Sequence, residues 1–196
     1  MERKTAEITT EQIKELRART GAGIVDCRNA LQQAGGDLDK ATEILKAKGL
    51  ATAQKKAGRA ATEGLIEAYI HTGGKVGAMV EVNCETDFVA RTDEFRRLSR
   101  DLAMQITASA PRYVMREEIP AETVEEQRRL FASDLAGKPA AAVEGKLTKW
   151  YQEVVLLEQP FIRDESKTVR DLITEAISRI GENIQVRRFA RFRIGE

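Results

Sequence analysis

A glycine pair at residues 73 and 74 separates two strand-like segments, Leu65 to His71 and Lys75 to Val82. Two such segments joined by a Gly-Gly turn are typical of a β-hairpin. Successive residues of a strand point to opposite faces. In the second segment one face carries Val76, Ala78, Val80 and Val82, and the other carries Gly77, Met79, Glu81 and Asn83. We therefore expect an antiparallel sheet with one strongly apolar face.

The chain closes with a further alternating segment, NIQVRRFARFRI at residues 183–194, which predicts a third strand. Its faces group Val186, Ala190, Phe192 and Ile194, with Arg188, against Arg187, Phe189, Arg191 and Arg193. Between the hairpin and this strand, four segments carry helical patterns or helix-start signals; the clearest runs from Val169 to Ile180. A three-stranded antiparallel sheet covered by helices on one face is an α+β domain.

The opposite face of this sheet must be polar or meet a partner. We expect Tyr69, Met79 or Phe189 to lie there. An exposed apolar sheet face marks an interaction surface, and a second copy of the same chain can cover it symmetrically. The pattern therefore favours a sheet-to-sheet contact between two copies.

The first 50 residues predict a separate three-helix bundle. Thr9 and Gln12 form a capping box for the first helix, the second runs from Ile24 to Ala34, and Asp37 caps the third. Residues 51–63 contain no large apolar side chain and predict a linker, to which Ala and Lys give some helix preference. The expected domains are residues 1–50, a linker at 51–63, and an α+β core at 64–196.

Composition gives no overall attraction to nucleic acid or to an anionic membrane. The chain has 32 basic and 31 acidic side chains, a net charge of +1. Cys27 and Cys84 lie far apart and form no metal-binding pattern. The N-terminus lacks the apolar core of a signal peptide, and no apolar run approaches the roughly 20 residues that span a bilayer. We expect a cytoplasmic protein without a membrane segment.

Recognisable catalytic motifs are almost absent from the sequence. His71 is the one histidine, and the chain has no G-x-S-x-G, Walker or G-x-G-x-x-G motif. Many carboxylates fall on expected helix surfaces, and no pair stands out for acid–base chemistry. We expect no enzyme, no metal and no cofactor, with a carboxylate-pair enzyme kept as an alternative.

The arginine-rich end of the chain, residues 187–193, is the best candidate for nucleic-acid binding. Arginines between aromatic residues bind phosphates and stack on bases. A strand with one solvated basic face gives the same letters. An RNA- or ribosome-associated binding protein therefore remains an alternative.

The segment NCETDFVA at residues 83–90 follows the second strand of the hairpin. Thr86 and Asp87 are a capping pair, and the bulky Phe88 and Val89 come directly after them. This pattern fits the start of a buried helix and equally fits a loop that inserts into another protein.

Five ordered blocks resemble the elongation factor Ts family, the nucleotide exchange factors of elongation factor Tu. They are ELRARTGAGIVDCRNAL at 15–31, GGDLDKATEILKAKG at 35–49, VEVNCETDFVAR at 80–91, VVLLEQPF at 154–161 and IGENIQVRRFARF at 180–192. The resemblance implies that the first domain has the fold of ubiquitin-associated domains. The resemblance to the family covers nearly the whole chain.

The resemblance implies a function for the segment after the hairpin. In the family, an Asp-Phe pair inserts between helices of the GTP-binding domain of Tu and disturbs the magnesium site beneath the nucleotide. The corresponding residues, which we call the wedge, are Thr86, Asp87, Phe88 and Val89. We expect Asp87 to cap the following turn and so to hold Phe88 outward.

Further contacts with Tu are implied by the same resemblance. In the first domain they correspond to Arg17, Ile24, Val25 and Arg28, and in the core to His71. The family commonly has two methionines where this chain has Ile24 and Val25, so the patch should be stiffer here.

Two further departures concern length. Residues 140–149 are about four residues shorter than in similar short members, which is roughly one helical turn. The chain also lacks the duplicated core and the inserted helical hairpin of longer members. Short members pair two cores instead, so we expect a homodimer that binds two Tu molecules.

Overall fold

The computed structural model describes residues 8–196, and its N-terminal part is a three-helix bundle. The helices are α1 (Thr10–Thr20), α2 (Ile24–Gln33) and α3 (Leu38–Lys56). Thr9 and Gln12 form the expected capping box, and Asp37 caps α3. The small core of this bundle consists of Leu16, Cys27, Ala30, Leu31 and Ala41.

Helix α3 joins this bundle to the rest of the chain. It continues to Lys56, so the segment expected as a linker begins as helix. A Cβ atom added to the buried Gly49 would lie 3.6 Å from the Cβ atom of Ser178, and Ala53 packs against the larger core. The Lys56 ammonium group also donates a hydrogen bond to the Gly181 carbonyl. The second half of α3 is therefore a packed element.

The remaining elements form the expected α+β architecture. In chain order they are β1 (Glu63–Ile70), β2 (Val76–Cys84), α4 (Asp87–Ala90), α5 (Asp93–Ser109), α6 (Ala121–Asp134), α7 (Ala140–Val154), β3 (Pro160–Phe161), β4 (Asp164–Thr168), α8 (Val169–Ile180) and β5 (Gln185–Arg193). Strands β1, β2 and β5 make an antiparallel sheet with β2 in the centre, and β3 pairs with β4. The predicted fold class is confirmed.

The main core lies between one face of this sheet and helices α5 and α8. Apolar residues at helical spacing, among them Phe95, Leu102 and Ile106, direct one side of α5 onto the buried side chains of β2. Helix α8 begins at the Thr168 cap and ends at Gly181, whose φ angle of 86° suits glycine. These caps set where the chain leaves α8.

A β-bulge in β5 makes part of the predicted face assignment wrong. Val82 pairs with Val186 while Glu81 pairs with Arg188, so Arg187 is an extra residue. One extra residue reverses the side on which all later side chains lie. Val186 therefore shares the core face with Phe189 and not with Phe192, and Phe189 packs against the core.

The open face of the sheet also differs from the expectation in β1. Tyr69 pairs with Ala78 and packs against the core, so only Met79 of the three expected residues lies on the open face. The large apolar side chains on the open face of the sheet are exposed: Ile66 (67%), Ile70 (70%), Met79 (49%) and Phe192 (71%). This set, with Ala68 and Ala190 beside Met79, is called the open face below.

Gly64 tests the sheet geometry. Its φ angle is 146°, and a Cβ atom there would lie 2.1 Å from the Val82 carbonyl oxygen. We expect Gly64→Ala to lower the free energy of unfolding by at least about 2 kcal/mol. Gly58→Ala is the matched control, since a Cβ there meets nothing within 4 Å, and should change it by less than about 0.5 kcal/mol. Urea unfolding measures both; equal effects would contradict this geometry.

Candidate functional site

The segment after β2 turns sharply into the single-turn helix α4. Cys84 ends the strand inside the core, and Thr86 has extended backbone angles. The Thr86 hydroxyl oxygen accepts a hydrogen bond from the Val89 N–H at 3.4 Å. Thr86 is therefore the cap, and the expectation that Asp87 caps the turn is wrong. Asp87 lies in the first turn of α4 and pairs with Arg91 at 2.5 Å.

Phe88 projects from this turn into solvent. Its side chain is 78% exposed, while Val89 packs against the core and Ala90 is buried. The Thr92 hydroxyl donates to the Val89 carbonyl at 2.8 Å, which anchors the end of the turn. With both following residues facing inward, this turn leaves Phe88 on the outside. The alternative of a buried residue at a helix start is excluded.

Two carboxylates from separate parts of the chain fix the base of the wedge. One Glu182 oxygen accepts hydrogen bonds from the N–H groups of Glu85 and Thr86, both at 3.0 Å, and the other accepts from the Thr86 hydroxyl at 2.6 Å. In return Glu85 accepts a hydrogen bond from the Asn183 N–H at 2.7 Å. We call this reciprocal arrangement of Glu85, Thr86, Glu182 and Asn183 the carboxylate clasp.

Local electrostatics favour a charged Glu85 and a neutral Cys84. The Asn183 N–H, and the Arg59 guanidinium at 3.4 Å, hold the pKa of Glu85 below its ordinary value. Burial, with a smaller contribution from Glu182, raises the pKa of Cys84 to about 11. The thiol therefore stays protonated at neutral pH and donates to the Thr86 carbonyl at 3.1 Å.

The second group of predicted site residues lies on the N-terminal bundle. Ile24 and Val25 start α2 and are 57% and 70% exposed, and Arg17 and Arg28 are exposed as well. Gly23 precedes them as a cap that has no side chain. The structure therefore presents an apolar pair at a helix start, with two cations on the same bundle.

Arg179 connects this bundle to the beginning of α5. Its guanidinium group donates to Glu94 at 2.6 Å, and a Cβ atom at Gly21 would lie 3.1 Å from its Cδ atom. Gly21 lies three residues before Ile24, and Glu94 lies six residues after Phe88. Short segments therefore connect both exposed apolar groups, Phe88 and the Ile24–Val25 pair, to residues that lie beside Arg179.

His71 lies apart from the wedge. It follows β1 at the hairpin, exposed, with Nδ1 3.3 Å from the Tyr69 hydroxyl. The hairpin and the wedge are at opposite ends of β2, which corresponds to roughly 25 Å along the strand. A partner that touches both must therefore span about this distance.

Residues 8–196 also bear on two other kinds of feature, a metal site and a membrane span. They contain no group of three or more His, Cys, Asp or Glu side chains placed to hold a metal ion. Within the same range, no helix combines the length and apolar character needed to cross a membrane.

Comparison with known proteins decides the family. Residues 39–196 match the family model described as Elongation factor TS. The chain is 57% identical over 195 residues to elongation factor Ts of Carboxydothermus hydrogenoformans, covering 96% of this chain and 90% of the relative. Against elongation factor Ts of Fervidobacterium nodosum it is 54% identical over 196 residues, covering 97% of this chain and 100% of the relative.

The chain belongs to the elongation factor Ts family. This confirms the resemblance that the five sequence blocks gave. Membership of the elongation factor Ts family also implies a nucleotide-exchange function in translation elongation.

Sequence reasoning missed the residues that support the wedge in this elongation factor Ts family chain. Glu182 is 96 residues from Thr86, and nothing in a single sequence links the two positions. One signal was present: a Gly-Glu-Asn run directly after the clear helical pattern of α8. A polar run at a helix end suggests that its side chains cap nearby backbone groups. It does not show which segment those groups belong to.

The carboxylate clasp makes a pH-dependent signal. We expect the Asn183 amide proton shift to titrate with a midpoint below the ordinary pKa of a glutamate, because its N–H stabilises the charged Glu85. The contribution of charged Glu85 to the free energy of unfolding is present above the ordinary pKa of a glutamate. It is lost as pH falls through the lowered pKa. NMR titration measures this, and Glu85→Gln should abolish it. A midpoint at or above the ordinary value would contradict the assignment.

Proposed function

We propose that this chain promotes GDP release from elongation factor Tu by inserting the wedge into the GTP-binding domain of Tu and disturbing its magnesium site. The observation that carries this proposal is Phe88, 78% exposed on a turn held by caps at both ends. Family membership implies the partner. In this proposal the chain needs no metal, cofactor or bond-making group of its own, and it acts in the cytoplasm.

The physical requirement for exchange is a difference in affinity. A factor shifts nucleotide binding only if it binds nucleotide-free Tu more tightly than GDP-loaded Tu. Burying the Phe88 side chain contributes about 1.5–3 kcal/mol, and the aromatic ring loses little rotamer freedom. If that burial is available only when the magnesium site is disturbed, the same energy weakens the grip on GDP.

The other exposed residues serve docking in this proposal. Ile24 and Val25 form an apolar patch, and Arg17 and Arg28 supply cations beside it. His71 makes a separate contact at the hairpin. These contacts hold Tu in both nucleotide states, whereas the wedge discriminates between the states.

We further propose that two copies associate through the open face. Its exposed Ile66, Ile70 and Phe192 surround the central Met79. Apolar patches of this kind on one side of a sheet are typical of interfaces, and a two-fold axis makes such a face self-complementary. Each dimer then carries two wedges and binds two Tu molecules.

The arginines of β5 favour a structural role over direct nucleic-acid binding. Arg188 pairs with Glu81 at 2.6 Å, and Arg191 pairs with Glu196 at 2.7 Å and donates to the Thr107 carbonyl. Both arginines are ion-paired, and Arg191 is also largely buried, so these two offer less charge to a phosphate backbone than free arginines would. Steep loss of binding with added salt would favour nucleic acid instead.

The wedge is tested by release of fluorescent GDP from purified Tu. We expect Phe88→Ala to lower the maximal release rate roughly ten- to a hundredfold, which matches the loss of one buried aromatic side chain. Its thermal stability should not fall, because Phe88 is exposed. Leu130→Ala, at a residue 54% exposed on α6, is the control and should release GDP like the unchanged protein. Equal GDP release rates for both variants would contradict the proposed role of the wedge.

The magnesium part of the proposal is tested with the same assay. Chelating Mg²⁺ should shrink the acceleration that the unchanged protein gives, because the site it disturbs is then already empty. The same acceleration with and without Mg²⁺ would mean that the wedge acts elsewhere on Tu.

The open face is tested by one charge. We expect Met79→Lys to weaken self-association roughly a hundredfold or more, since a dimer buries the substitution twice. Sedimentation equilibrium measures this, with Leu130→Lys as the control on another surface. A dimer of unchanged strength in Met79→Lys would assign the interface to a different face.

A further inference from the structure

Glu182 makes an unusually complete set of bonds to one short segment. It follows Gly181, which ends α8, and its half-buried carboxylate accepts three hydrogen bonds, all from Glu85 and Thr86. Hydrogen bonds to a charged acceptor are the stronger kind. The backbone N–H groups at the base of the wedge therefore find their partner in one distant side chain.

The Thr86 hydroxyl transmits this contact into the wedge. Its proton points to Glu182 at 2.6 Å, so an oxygen lone pair remains for the Val89 N–H at 3.4 Å. Without the carboxylate, the hydroxyl is free to rotate and to turn its proton toward the helix start. The cap of α4 therefore depends on Glu182 as well as on Thr86.

The opposite half of the clasp immobilises Glu182 itself. Glu85 accepts the Asn183 N–H, and the buried Asn183 side chain donates to the Arg59 carbonyl at 2.8 Å. The end of β2, the end of α8 and the segment after α3 are thus joined at one point. Glu182 is therefore held in place by both neighbours in sequence, Asn183 and Gly181, whose carbonyl accepts the hydrogen bond from Lys56.

From this geometry we infer that Glu182 is a positioning residue for nucleotide exchange: its carboxylate holds Thr86 and thereby presents Phe88 in one fixed orientation. This inference rests on the proposed function of the wedge. A preorganised loop loses less conformational entropy on insertion than a mobile one. The benefit appears when Phe88 enters the nucleotide-binding domain, and not when Tu first docks on other surfaces.

The first experiment separates docking from release. We expect Glu182→Ala to lower the maximal GDP release rate about tenfold, while the concentration of factor that gives half the maximal rate changes less than about threefold. Glu165→Ala, at an exposed glutamate of β4, is the matched control and should alter neither quantity. Equal changes in both quantities would indicate general damage and overturn the inference.

The second experiment tests the hydroxyl. Thr86→Val keeps the shape and removes the hydroxyl, both its proton for Glu182 and its oxygen for the Val89 N–H, so it should reproduce the loss. Thr86→Ser should restore most of the rate. The double variant Thr86→Val with Glu182→Ala should be little worse than Glu182→Ala alone, because both act through one contact. Multiplying losses would show that the two residues act independently and would contradict the inference.

Amide hydrogen exchange supplies a readout that needs no Tu. Glu182→Ala should speed exchange at Glu85, Thr86 and Val89 at least tenfold and leave the amides of α5 unchanged. Unchanged exchange at the three amides overturns the positioning role, whatever the release rates are. If the wild-type protein does not accelerate GDP release, the proposed function fails. Faster amide hydrogen exchange in Glu182→Ala would in that case still establish the clasp.

Discussion

The buried face of β2 is the constraint on which the site depends. Val80, Val82 and Cys84 lie in the core, and β2 is paired on both edges. Its end is therefore fixed in space, and the wedge leaves from that fixed point. Inward-facing Val89 and Ala90 close the turn five and six residues after Cys84, so the exposure of Phe88 is a consequence of the core on either side of it.

The fold was largely readable from the sequence because its signals are local. The Gly-Gly turn, the alternation in β2, the capping box at Thr9 and the periodic stripe of α8 each depend on neighbouring residues. Phe88 was different, since the same letters fit a buried helix start or a projecting turn. Only the three-dimensional placement of Val89 and Ala90 decides between them.

What the sequence could not predict depends on contacts between distant segments. The bulge at Arg187 is set by pairing with β2, and it moved Phe189 to the core face and left Phe192 exposed. The carboxylate clasp joins residues almost a hundred positions apart. Helix α3 likewise continues past residue 50 because α8 supplies a surface for Gly49 and Ala53, which composition alone does not reveal.

The most direct test of the account observes Phe88 itself. A single fluorinated phenylalanine placed at position 88 reports its surroundings through its ¹⁹F resonance. We expect one sharp resonance in the free protein, because the turn is rigid, and a shifted, solvent-protected resonance when GDP-loaded Tu is added. An unchanged resonance in a sample that still releases GDP rapidly would contradict it.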